Sequence, residues 1–299
     1  MINENKDRPG RSGADNTIFT RTDRGRAPTR SEFCRKEWCL MSTYEWRYSM
    51  SKEKTKEELI SHKSSAIEKL NAYLESLILS DNPKLRSKAD KIDYWLEDWT
   101  TFLDFESHFS PMSLRRYKRG EIIKVHLGFN VGSEEGGLHY AVVIDKNNAK
   151  SSPVVTIVPL TSVKAHTDLS KLKSGSVFLG NELFTNLNSK ISATHKRLDK
   201  ELSLMKFIVN NKNISSTEYA SLPCRIKKAE DELNLLERMR KEVIRMKIGS
   251  IALVNQITTI SKIRIYDPKT DHDILSNIKL SNEKLDLIDN EIRQRFTNI

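Results

Sequence analysis

Cysteine is scarce in this chain, and long apolar runs are missing. The three cysteines among 299 residues, Cys34, Cys39 and Cys224, are an odd and scattered set. They offer neither a disulfide framework nor the paired spacing of a zinc site, and they suit a reducing, cytoplasmic setting. No run approaches the roughly 18 apolar residues that a membrane helix needs. The N-terminus lacks the apolar core of a secretory signal. No carboxylate cluster of the kind that holds a nuclease metal stands out, so neither metal nor cofactor is expected.

Charge is what the chain has in quantity. Charged residues make up 30% and hydrophobic residues 37%, with a formal net charge of +10. A polar, partly helix-rich protein of one large or two modest domains follows. The positive balance permits a polyanionic partner, because clustered Lys and Arg raise phosphate affinity. Solvated helix faces produce the same balance.

Residues 1–50 are Arg-rich, poor in aliphatic side chains and without helical or strand period. They are expected to be disordered or an over-extended start, since organised sequence begins directly after Met50 and Met41 is also internal. Residues 51–110 read as a helical hairpin. Apolar positions from Leu59 to Ile78 recur at helical spacing, Ser80-Asp81-Asn82-Pro83 stops one helix and caps the next, and Leu85, Ala89, Ile92, Trp95, Trp99 and Leu103 form a second stripe. Residues 117–182 carry strand runs at 121–127, 138–144, 154–160 and, more weakly, 176–179. The first should turn Ile123, Val125 and Leu127 inward and Lys124 and His126 outward. Helical period returns over 183–247, with a capping box at Ser215 and Glu218 and a near-heptad stripe through Leu222, Ile226, Ala229, Leu233, Leu236, Arg240 and Val243. An inserted antiparallel helical hairpin is the reading. Residues 248–299 resume the strand pattern and end in an amphipathic helix opened by Ser281. The fold class is α+β, a compact β-barrel pattern with helical additions.

The most informative stretch is Arg119-Gly120-Glu121-Ile122, then the loop Gly132-Ser133-Glu134-Glu135-Gly136-Gly137, then Leu138-His139-Tyr140-Ala141-Val142-Val143-Ile144. Val158-Pro159-Leu160-Thr161-Ser162 follows, and later Leu253-Val254-Asn255-Gln256-Ile257-Thr258-Thr259-Ile260-Ser261-Lys262. In this order these motifs resemble the PemK/MazF toxins of bacterial type II toxin–antitoxin pairs, over 118–179 and 249–296. The resemblance implies a small SH3-like β-barrel, a homodimer, that cuts single-stranded RNA without a metal. It also implies neutralisation by a cognate antitoxin, and operator DNA bound together with that antitoxin. Where the family places an arginine after the Gly-Gly loop, this chain has His139, with Tyr140 in place of the usual proline. Thr258 and Ser261 stand where many relatives carry Arg and Asp. The helical segments 51–109 and 183–247 have no counterpart in the minimal toxin.

Metal-free RNA cleavage uses the 2′-OH as an internal nucleophile. It needs a base for that hydroxyl, an acid for the leaving 5′-oxygen, and donors for the charge that grows on phosphorus-bound oxygens. Histidine titrates near pH 6.5, so His139 is the candidate general acid/base. Thr161 and Ser162 are candidate donors to the scissile phosphate. Ser133 and the backbone N–H groups of Gly136 and Gly137 are candidates for positioning substrate, and Lys124 and Arg119 (with Lys118) for supplying cationic charge. Glu134 and Glu135 suit orienting His139 or meeting a partner. The bland alternatives stay open: a strand-start histidine satisfied by a backbone carbonyl, and a hydroxyl pair capping a turn. A non-catalytic barrel that binds nucleic acid or a protein partner is the competing function, and a third reading makes the helical arms the working surface.

Overall fold

The computed structural model describes residues 53–298 apart from 165, 212–214 and 247–248. The expectations for residues 1–50, with Cys34, Cys39 and the internal methionines, lie outside the described residues. The chain divides into two compact units, one ending at Ala72 and the other running from Tyr73 to Ile299. The first unit holds most of helix α1 (Lys56–Ile78). Thr55 Oγ1 accepts from the Glu58 N–H at 3.2 Å and the Glu58 carboxylate accepts from the Thr55 N–H at 2.8 Å, a reciprocal cap that starts the helix. Its Leu59, Ile60 and Ile67 are exposed.

In the second unit, Leu74 and Leu77 at the end of α1 pack with Leu85, Ala89 and Ile92 of helix α2 (Pro83–Glu106). Asn82 Oδ1 accepts from the Lys84 N–H at 3.0 Å, and Pro83 occupies the first turn, where its missing N–H is harmless. The buried part of the α2 stripe is shorter than its periodicity suggests, since Trp99 and Leu103 are exposed.

Seven strands form one antiparallel sheet: β1 (Ile122–His126), β2 (Leu138–Val143), β3 (Val154–Ser162), β4 (Ser176–Gly180), β5 (Ser250–Leu253), β6 (Thr258–Ser261) and β7 (Ile265–Asp267). The order is β4-β5-β3-β2-β1-β7, with β6 added on β3. Among the described strands no pairing joins β4 to β7, so the path is open. β3 is the spine. β2 lies along one edge, while β6 pairs with residues 154–157 and β5 with residues 160–162. Between these two ladders a 3₁₀ turn, Val254–Gln256, breaks the strand opposite Val158 and Pro159. Proline has no N–H for a ladder, which fits the position of the break.

Both faces of the sheet are covered. On one face Ile123, Val125, Leu127, Ala141, Val155, Ile157 and Ile260 form a core with Tyr117. On the other, Ile122, Val142, Val158 and Leu160 join α3 (Glu182–Asn210), α5 (Leu222–Arg245) and α6 (Asn282–Phe296). A short helix, α4 (Ser216–Ala220), precedes α5 and carries the expected Ser215–Glu218 capping box. The pair Gly180↔Ser250 brackets this helical insertion, which leaves and re-enters the sheet at one rung of the β4–β5 ladder. The apolar stripe of α5 differs from the expected seam: Ile226 and Leu233 are exposed, while Leu235 and Met239 are buried. A helix of 3.6 residues per turn drifts ~20° per heptad from a strict seam, and α5 buries the side that meets α3 and the shared core. Lys124 is likewise not turned to solvent. Its ammonium meets Glu242 of α5, which also accepts from Tyr140.

Candidate active site

The β1–β2 loop is built to stay in one place. The Leu127 N–H donates to the Gly137 carbonyl at 2.8 Å and the Gly137 N–H donates to the Gly128 carbonyl at 2.7 Å. A Cβ on Gly136 would stand 2.8 Å from the Gly128 oxygen, so that closure needs glycine. Gln256, from the strand break, ties the loop across the gap: its Nε2 donates to the Ser133 carbonyl and its Oε1 accepts from the Glu135 N–H, both at 3.3 Å. Between loop and break lies a polar cleft of about 530 Å³, lined among others by Glu134, Glu135, Asn255, Gln256, Thr258 and Arg264.

His139 stands beside this cleft on β2, half-buried. Its Nδ1 is 3.2 Å from the Leu160 carbonyl oxygen, and its Nε2 is 3.5 Å from a Glu135 carboxylate oxygen. A carbonyl only accepts, so Nδ1 carries the proton and Nε2 is the nitrogen left to exchange one. The backbone-carbonyl contact of the bland alternative is therefore present, and it fixes the tautomer that chemistry at Nε2 requires. Tyr140 pairs with Leu160, so one step further along the ladder His139 faces Thr161. Side chains alternate along a strand, and Leu160 belongs to the helix-covered core. Thr161 consequently shares the face of His139 and Pro159, while Ser162 turns to the opposite face.

The remaining candidates are placed as follows. Gly136 and Gly137 form the loop, but the Gly137 N–H is already bonded within it. Ser133 is exposed and engaged through its carbonyl. Lys124 is turned to Glu242, away from the cleft. Arg119 is bonded to the Ile144 carbonyl and to Asp289 of α6, so it too lies outside the cleft. His126 is not an ordinary surface histidine: its ring stacks on Trp95 of α2 at 4.8 Å, its Nδ1 accepts from the Gly128 N–H at 3.1 Å, and its Nε2 is 3.3 Å from Asp98. Burial holds its pKa below the usual histidine value, with Asp98 pulling the other way.

Gln256, Asn255 and Arg264 line the cleft although none was a candidate site residue from the sequence, the first two lying in the family-like motif 253–262. The first two sit inside a strand-like run, and nothing in the alternation announces the break that turns them into the cleft. Among the described residues no group of three or more His, Cys, Asp or Glu side chains could hold a metal ion, and no helix is long and apolar enough to cross a membrane.

These features define an α+β protein whose antiparallel sheet carries a polar cleft between a glycine-closed loop and a broken strand. Residues 118–203 match the family model described as PemK-like, MazF-like toxin of type II toxin-antitoxin system. Over that segment the chain is similar to the PemK/MazF toxins. The match covers β1 to β4 and enters α3, whereas the later segment 249–296 lies outside it. No curated protein matches the chain.

Proposed function

We propose that this protein is a toxin-type endoribonuclease that cuts single-stranded RNA without a metal and is neutralised by a cognate antitoxin. One observation carries the reading. His139 is held in a single tautomer by the Leu160 carbonyl, with Nε2 beside Glu135 at the cleft. Neutral His139 takes the 2′-OH proton at Nε2, O2′ bonds to phosphorus, and the P–O5′ bond breaks. The imidazolium, facing the Glu135 carboxylate, then gives that proton to O5′. A 2′,3′-cyclic phosphate and a 5′-hydroxyl result. Thr161, on the same face, donates to the phosphate as charge accumulates. Ser162 supports the strand end instead of the phosphate. We take β3, with partners on both edges, as the strand about which the sheet curls into the SH3-like barrel. A homodimer, and operator DNA bound jointly with the antitoxin, belong to the same proposal, as does a cytoplasmic setting.

Purified protein on unstructured RNA tests this. His139→Ala should lower the cleavage rate constant by ~10²–10⁴, the usual contribution of a general acid/base. Thr161→Ala should slow cleavage by a smaller factor, and EDTA should leave the wild type unaffected. Unchanged cleavage in both variants would dismiss the site. Induced expression in bacteria should arrest growth with the wild type and not with His139→Ala. A non-catalytic binding module is the second reading, favoured by the diversion of Lys124 and Arg119 to Glu242 and Asp289. Single-strand binding without any cleavage would establish it.

A further inference from the structure

Arg264 ends the 3₁₀ turn Lys262–Arg264 between β6 and β7. Two contacts hold it. Its Nε donates to the His126 carbonyl at 2.8 Å, and its guanidinium lies over the Trp95 ring at 5.4 Å from the centroid. Trp95 is braced in turn by its stack on His126. Gly128 leaves the space for this assembly, since a Cβ there would approach both Arg264 Nη2 and Trp95 to 3.0 Å.

The outer half of the guanidinium is uncommitted. Among the described residues no carboxylate lies within 4.0 Å of Arg264, although Glu134 and Glu135 line the same cleft. Neither Nη group makes a hydrogen bond to a described residue, and burial lowers the group's pKa from its usual value. A fixed, partly desolvated cation with free donors facing a cleft is arranged for an anion, and the guanidinium fork matches phosphate oxygens. Lys124 and Arg119, two of the three cations expected to supply charge, are spent elsewhere.

We propose that Arg264 is the phosphate-binding cation of this cleft, held for that purpose by Trp95 of α2 and by the His126 carbonyl. Its ligand is a backbone phosphate of single-stranded RNA, so the identity of the substrate rests on the ribonuclease reading above. Trp95 is a positioning residue. The helical hairpin, absent from the minimal toxin, thereby acquires a part in the site.

The test is binding of a short single-stranded RNA with 2′-O-methyl groups, which cannot be cleaved, measured as a function of salt alongside cleavage of ordinary RNA. Arg264→Gln should weaken binding about tenfold at low salt and reduce the slope of log K against log salt by about one, the signature of one lost phosphate contact. Arg264→Lys should keep the slope while cleaving more slowly, because it retains charge without the fork. Trp95→Leu should keep the slope and slow cleavage, and His139→Ala should keep affinity and slope. Thermal melts identify any variant that fails to fold; Arg264→Lys and Trp95→Leu still read out if Arg264→Gln does not fold. Wild-type cleavage with an unchanged slope in Arg264→Gln overturns the assignment and leaves the ribonuclease reading standing. A reduced slope in a protein that never cleaves does the reverse. Failure of the wild type to bind the RNA overturns both.

Discussion

Gly128 shows how much of the site depends on single positions. Its φ of +93° lies in the left-handed region, its carbonyl accepts from Gly137, its N–H donates to His126, and its missing side chain admits Trp95 and Arg264. Gly128→Ala should therefore destabilise by about 1–3 kcal/mol, the range for a residue forced into a sparsely populated backbone region, and should shift Trp95 fluorescence as the stack is displaced. Urea unfolding followed by fluorescence checks both. At this scale the sequence was partly legible. The Gly-Gly closure before β2 was readable because a glycine loop before a strand is a local pattern. The setting of Arg264 was not, because it is made by Trp95 and His126, which lie far from it along the chain.

Elements were more legible than their faces. Cap chemistry announced α2, α4 and α6, since a side-chain oxygen two or three residues before its N–H partner is a local signal. Facing was misjudged where both sides of an element are covered, as for β1, whose Lys124 meets α5 instead of water. That contact yields a pH prediction. Burial raises the Glu242 pKa, but donation from Lys124 and Tyr140 outweighs it, and the carboxyl titrates below its usual 4.5. The unfolded chain then binds the proton first, so the stabilisation is present above about pH 4.5 and is lost as pH falls through the lower folded value. Glu242→Gln should be less stable than the wild type at neutral pH, and the gap should narrow below pH 4.5. Melting temperatures across that range decide it; a gap that stays constant would remove Glu242 from the balance.

For the whole molecule, the insertion is core rather than appendage. Leu187 of α3 and Met239 of α5 are fully buried in the same cluster as Val142, Val158 and Leu160 of the sheet. Leu187→Ala and Met239→Ala should each destabilise by about 2–5 kcal/mol, as large-to-small changes in a packed core do. Chemical denaturation would show instead little change if the arm were peripheral. Lys190 adds a second tie from α3: its ammonium donates to the carbonyls of Asp273, Ile274 and Ser276 at 2.8–2.9 Å, and burial pushes its pKa down to about 8.

The insertion also departs from and returns to a single rung, Gly180↔Ser250. Joining β4 to β5 looks, by sequence separation, like the slow closure of a long loop. Yet α3 and α5 pack against each other as an antiparallel pair, and once they do so they deliver both ends of that loop to the same place. In an arm that folds on its own contacts, the entropy of closure is met within the helices rather than by the β4–β5 pairing. For such an arm the effective loop between β4 and β5 is far shorter than the sequence separation.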